Sequence, residues 1–176
     1  AELTNLDFAL ARCVIWIFKK EDKSFTWYSA NPEGEVESYL IPFTDYKVVT
    51  DYWDFWEKRI RRKYYDLSGG LKKGMDEYIF NHTEMVNMPK EVIHGMTDPK
   101  QVHLYNTFND FGALLVSSIK HQDDEIYEIL ERFGNVFNQA FTRFKDIQRA
   151  EAQTREAKIE AALERVRAKA MAMHHT

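Results

Sequence analysis

Short apolar runs separated by turn residues dominate the chain up to residue 122, and a long three-four stepping pattern replaces them beyond it. Alternation of period two lines one face of a strand, whereas steps of three and four line one face of a helix. Leu3, Leu6 and Leu10, with Phe8 and Ala9 beside them, predict a short first helix behind Thr4 or Asn5 as cap. The β-branched and aromatic run 13–18, the polar turn 19–23 and the run 24–29 predict a hairpin of unusual aromatic weight. Asn31-Pro32-Glu33-Gly34 ends it, and residues 38–43 form a third short strand with Pro42 at its limit.

Tyr46, Val49, Trp53, Trp56 and Ile60 follow the step of an amphipathic helix capped by Thr44 or Asp45, with Asp54–Lys58 and Glu57–Arg61 as i,i+4 ion pairs. A short strand over 64–67 follows. Ser68-Gly69-Gly70 then opens a helix carrying Leu71, Met75, Tyr78 and Ile79. Residues 81–101, with Pro89 and Pro99 and scattered methionines, read as a long loop holding one helical turn. A second hairpin, 102–108 and 111–119, closes on Asn109-Asp110, residues that tolerate the positive φ of tight turns.

From Asp123 onward there is no proline, Gly134 is the only glycine, and strong helix formers prevail. Ile126, Leu130, Phe133, Phe137, Ala140, Phe144 and Ile147 form one heptad seam, and Ile129, Val136 and Phe141 widen it enough to pack on the body of the same chain. Ile159, Leu163, Val166, Ala170 and Met173 form a second, narrower seam, out of phase with the first across 148–158. So thin a stripe cannot bury itself, which predicts a homodimeric coiled coil through those five residues. At about 1.5 Å per residue the helix is expected to run some 75–80 Å and to project outward. The domain reading is therefore a body over 1–122 and a helix over 123–176, its first half packed on the body and its second half coiled coil. The fold class is α+β, a central antiparallel sheet flanked by helices, and a chain ending this way reads as a piece of a longer protein.

Composition narrows the function. With 24 Lys+Arg against 28 Asp+Glu and a net charge of −4, sequence-independent attraction to nucleic acid or anionic lipid is disfavoured. The single cysteine, Cys13, excludes an internal disulfide framework and a multi-thiolate zinc site. No run reaches the roughly 18 apolar residues of a membrane span, and no signal-peptide pattern opens the chain, so the reading is a soluble, cytoplasmic protein.

Catalytic and cofactor signatures are also missing. The stretch 68–74 lacks the spacing of a phosphate-cradling loop, and His82, His94, His103 and His121 have no metal-ligand spacing. Cys13, in an apolar run, reads as a buried inert thiol. The basic cluster Lys58, Arg59, Arg61, Arg62 and Lys63 reads chiefly as helix-end cations paired with Asp54 and Glu57, although it is the one local patch suited to an anion. What stands out is aromatic: 14% of the chain is Phe, Trp or Tyr. Trp16, Trp27, Trp53, Tyr65, Tyr78, Phe108 and Phe111 are the candidate lining of a small-ligand pocket, with core packing as the alternative for each. No metal and no cofactor are expected, and no enzymatic activity.

The element order of residues 1–122, followed by the segments Glu131-Arg-Phe-Gly-Asn-Val-Phe-Asn-Gln-Ala-Phe-Thr-Arg-Phe144 and Arg155-Glu-Ala-Lys-Ile-Glu-Ala-Ala-Leu-Glu-Arg-Val-Arg-Ala-Lys-Ala-Met-Ala-Met173, resembles a GAF-type sensor domain with its signalling helix. Such units occur in bacterial two-component histidine kinases and nucleotide cyclases. The resemblance implies a non-catalytic sensory and dimerisation module, coupling an unknown small molecule or a neighbouring domain of the same polypeptide to a coiled-coil output. The alternative is a degenerate GAF-like spacer that dimerises without a ligand. Family ligand motifs are not reproduced: Asn106-Thr-Phe-Asn-Asp110 departs from the cyclic-nucleotide pattern, Val14 rather than His follows Cys13, and His174-His175-Thr176 is no phosphoacceptor box. No functional residue transfers from those motifs, and helix orientation in the dimer stays open.

Overall fold

The structure, a computed structural model, describes residues 10–30 and 36–173. Six strands, β1 (Leu10–Phe18), β2 (Phe25–Ala30), β3 (Val36–Ile41), β4 (Arg62–Ser68), β5 (Gln101–Asn109) and β6 (Gly112–Ser118), form one sheet in the order β3-β2-β1-β6-β5-β4. All five pairings are antiparallel. Among the described residues four α-helices accompany it, α1 (Lys47–Glu57), α2 (Gly69–His82), α3 (Lys90–Thr97) and α4 (Glu125–Met173). The α+β class and the antiparallel sheet flanked by helices are as the pattern predicts.

Cross-strand register decides what each face carries. The rows Tyr39–Trp27–Trp16–Ala113–Phe108 and Val14–Leu115–Asn106 lie on one face, under α1 and α2. There Val14, Trp16, Phe18, Phe25, Trp27 and Ile41 meet Val48, Val49, Tyr52 and Trp53 of α1 and Met75, Ile79 and Phe80 of α2. Intervening residues point the other way: Tyr105, Leu114 and Val116 pack with Ile126, Tyr127 and Leu130 of α4, and Cys13, Ile15 and Tyr64 border them. Burying side chains of this size contributes about 1.5–3 kcal/mol each. The first turns of α4 are thereby fixed to the back of the sheet.

Several expectations are corrected. Residues 1–9, and so most of the predicted first helix, lie outside the described residues, as do 31–34; Leu10, placed in that helix, begins β1 instead, because β6 is long enough to pair with it at Ser118. The stretch expected as loop carries a 3₁₀ turn, Glu84–Asn87, capped by Thr83, whose Oγ1 accepts from Met85 N at 3.1 Å, and then α3 behind Pro89, where a missing N–H costs nothing. The second hairpin turns at Asp110–Phe111, one residue later than expected. Neither Asn109 nor Asp110 takes positive φ; Gly112 does, at 150°. α1 starts after Tyr46 with no side-chain cap, since the Thr44 hydroxyl donates to Asp45 at 3.4 Å. It stops at Glu57, with Arg59 in the left-handed region at φ 55°, so Ile60 and Arg61 are off the helix. The Asp54–Lys58 pair forms at 2.8 Å, but Glu57 and Arg61 are no longer one turn apart and do not pair.

The chain divides into two compact units, Ala1–Asn138 and Gln139–Thr176. Within the second, every described residue except the half-buried Phe141 is exposed. The helix is unbroken through 148–158, where the two seams change phase. No helix among the described residues is long and apolar enough to cross a membrane.

Candidate functional site

Between the sheet and its covering helices lies a cavity of about 130 Å³. Val14, Trp16, Trp27, Leu104 and Leu115 of the sheet form its floor, Val48 and Tyr52 of α1 and Met75 and Ile79 of α2 its walls, and Gly95 and Met96 of α3 its cover. Alternation explains the floor, since every second residue of β1 and β6 faces this way. No residue of α3 is buried, so the cover is the most lightly held part of the enclosure.

Polar groups are few. Lys72, 5% exposed, lies among the apolar residues of α2, donates to Asp76 one turn on and to Met96 O at 2.9 Å, and so retains one of its three ammonium protons. Burial pushes the Asp76 carboxyl above the usual carboxylate range, and the bond from Lys72 opposes that. Arg12 reaches the cavity from β1; burial lowers its guanidinium below the ordinary value, against the attraction of Glu37. Trp16 and Trp27 line the cavity, and neither buried indole N–H has an acceptor. An unmet buried donor of this kind costs about 1–3 kcal/mol.

The seven predicted pocket residues are divided. Trp16 and Trp27 line this cavity; Trp53 and Phe108 line a separate cleft at the end of the sheet. Tyr65 donates to Asp51 at 2.8 Å, and burial, together with that bond, raises its hydroxyl's pKa; Tyr78 donates to Pro42 O at 2.8 Å. Phe111 packs edge-on against Phe137 with ring centres 4.7 Å apart. Those three line neither space. Lys72, Asp76 and Arg12 are the residues the sequence reading passed over. The signal for Lys72 was its position, since 72, 75 and 79 take the same three-four step as the buried Met75 and Ile79.

Elsewhere the fold gathers separated residues. Tyr64 Oη and His103 Nδ1 are 2.7 Å apart, with the ring of His121 centred 5.5 Å from each ring. Among the described residues no group of three or more His, Cys, Asp or Glu side chains could hold a metal ion. Burial pushes the Cys13 thiol up to about 11. In the second unit, Ile159, Leu163, Val166 and Met173 are between 52% and 73% exposed, and Ala170 is exposed with them.

No known family, curated protein or solved structure matches this chain.

Proposed function

We propose that the chain is a GAF-like sensory and dimerisation module, in which a small molecule held in the cavity biases a helical output. The observation that carries the reading is an apolar cavity of about 130 Å³ bordered by two unsatisfied indole donors and a lysine with a spare proton. Enclosures of about 150 Å³ hold single-ring hydrocarbons. The ligand class is therefore a one-ring aromatic or short branched compound bearing an oxygen acceptor.

Coupling to α4 follows from strand alternation. Leu115 borders the cavity, while its chain neighbours Leu114 and Val116 bear on the cluster of Ile126, Tyr127 and Leu130. Any ligand that shifts β6 or β1 changes both surfaces together, and the shift is as large as its differential affinity for two packings of α4.

The exposed seam supplies the dimer. Taking Leu163 and Ala170 as a positions and Ile159, Val166 and Met173 as d positions, Arg155 falls at g and Glu160 at e. In a parallel pair these face one another across the interface, which favours that orientation.

The test is thermal-shift and native mass spectrometry of the purified chain against benzoate, 4-hydroxybenzoate, phenol and isovalerate. The expected result is a bound mass and a raised melting temperature for at least one, lost in Trp27→Phe or Lys72→Met. A chain that takes up none of them is the spacer instead.

A further inference from the structure

We propose that the second cleft, at the end of the sheet where the β1–β2 turn, the C-terminus of α1 and the β5–β6 turn converge, binds the phosphate group of an organic phosphate. Its volume is about 470 Å³, within the usual size of small-ligand sites. Lys20, Lys23, Arg59 and Arg61 line it from three separate segments, against the carboxylates of Glu57 and Asp110. The excess is positive in a chain whose net charge is −4, so the cleft is a local attractor for anions.

Two of the four cations sit on unusual backbone. Among the described residues the non-glycine positions with left-handed φ are Lys23 and Arg59, both at 55°, and both line this cleft. Such backbone is disfavoured for a residue with a side chain and concentrates at functional sites. The basic cluster of the sequence is thereby sorted. Lys58 is bound to Asp54, Arg62 makes a two-pronged bond to Glu131 at 2.8 and 2.7 Å, and Lys63 lies over the Phe55 ring at 4.9 Å. Arg61 has no ion pair among the described residues, and Arg59 only a 4.0 Å approach to Asp110. Those two guanidinium groups remain available, and a guanidinium fork meets two phosphate oxygens at once.

Beneath the cations the wall is aromatic and incompletely satisfied. Trp53 is 4% exposed and its indole N–H has no acceptor; the Asn109 amide N–H₂, also buried without one, lies against Gly134 of α4, and Asn138 Oδ1 is a buried acceptor without a donor. Trp56, by contrast, donates to Asn109 O at 2.8 Å and carries Lys20 Nζ 5.3 Å from its ring centre. The Trp53 donor beside four cations calls for an acceptor-rich, negatively charged group. The faces of Trp53, Trp56 and Phe108 suit an unsaturated body attached to it.

Titration calorimetry with inorganic phosphate and with phenyl phosphate, at matched ionic strength with chloride as reference, tests this. Both are expected to bind, phenyl phosphate more tightly. Arg59→Gly, which keeps the left-handed backbone, combined with Arg61→Ala is expected to weaken binding at least about tenfold. Trp53→Phe, which keeps the bulk and removes the N–H, is expected to weaken it several-fold. Lys90→Met, an exposed lysine at the start of α3, is expected to leave it unchanged. No heat above chloride, or equal affinity in the Arg59→Gly/Arg61→Ala protein, overturns the site. Equal affinity for the two probes overturns its organic portion. Both arginines are exposed, so their loss leaves the fold to be verified by an unchanged melting temperature without ligand.

Discussion

At Gly112 a Cβ would fall inside van der Waals contact of the Trp16 carbonyl oxygen and against the Phe18 ring, in a backbone that only glycine adopts freely. Gly112→Ala is expected to cost about 2–4 kcal/mol, read as a lowered denaturation midpoint with unchanged slope. Lys72 and Asp76 make a different case. Asp76→Asn removes the charge that compensates a buried ammonium and is expected to destabilise by about 3 kcal/mol, whereas Lys72→Met with Asp76→Leu is neutral or stabilising. If the pair exists for ligand recognition, the double variant keeps its stability and loses the benzoate-type response. At this scale the sequence betrayed little. A lysine in a helix stripe was visible, but which lysine would lose its solvent depended on α3 lying over it.

Among elements, α3 stands apart because nothing in it is buried. Its amides are expected to exchange with deuterium well before those of α2 and β6, and an occupied cavity to slow them selectively; uniform exchange across the body would count against α3 as the lightly held cover. Strands with strong aromatic or β-branched runs were legible at once, since period two needs no tertiary information. α3 was not, because Pro89 and Pro99 bracket a short segment whose apolar Val92, Ile93 and Met96 find partners only in the folded core. The end of α1 was misplaced for a similar reason. Ile60 continues the periodicity, yet the chain turns at Arg59 to start β4. In the second unit, the twelve positions from Ile147 to Ile159 turn about 120° around a straight helix, so those two residues lie on different faces of it.

For the whole molecule the exposed seam makes association the first quantity to measure. Sedimentation equilibrium is expected to find a dimer that dissociates on Leu163→Glu/Val166→Glu, and a monomer at all concentrations would remove the output half of the proposal. Alkaline pH acts on the body. Burial raises the Cys13 thiol to about 11 and pushes Tyr52 and Tyr65 up, so the folded state holds these protons more tightly than the unfolded one. Stability contributed by that difference is complete below the unfolded thiol's value of about 8.5 and is lost as pH rises through the folded values. Denaturation midpoints are expected to fall steadily above about pH 9, less so in Cys13→Ala.

Consecutive residues of β6 serve opposite masters: Leu115 borders the cavity, and Leu114 and Val116 seat α4. A single-residue deletion in the Asp110–Phe111 turn would slip the strand by one position and exchange the two sets wholesale. Loop length, usually the most freely drifting property of a hairpin, is here a heritable constraint. The turn between β5 and β6 should therefore vary in residue type among descendants of this sequence while holding its count of residues.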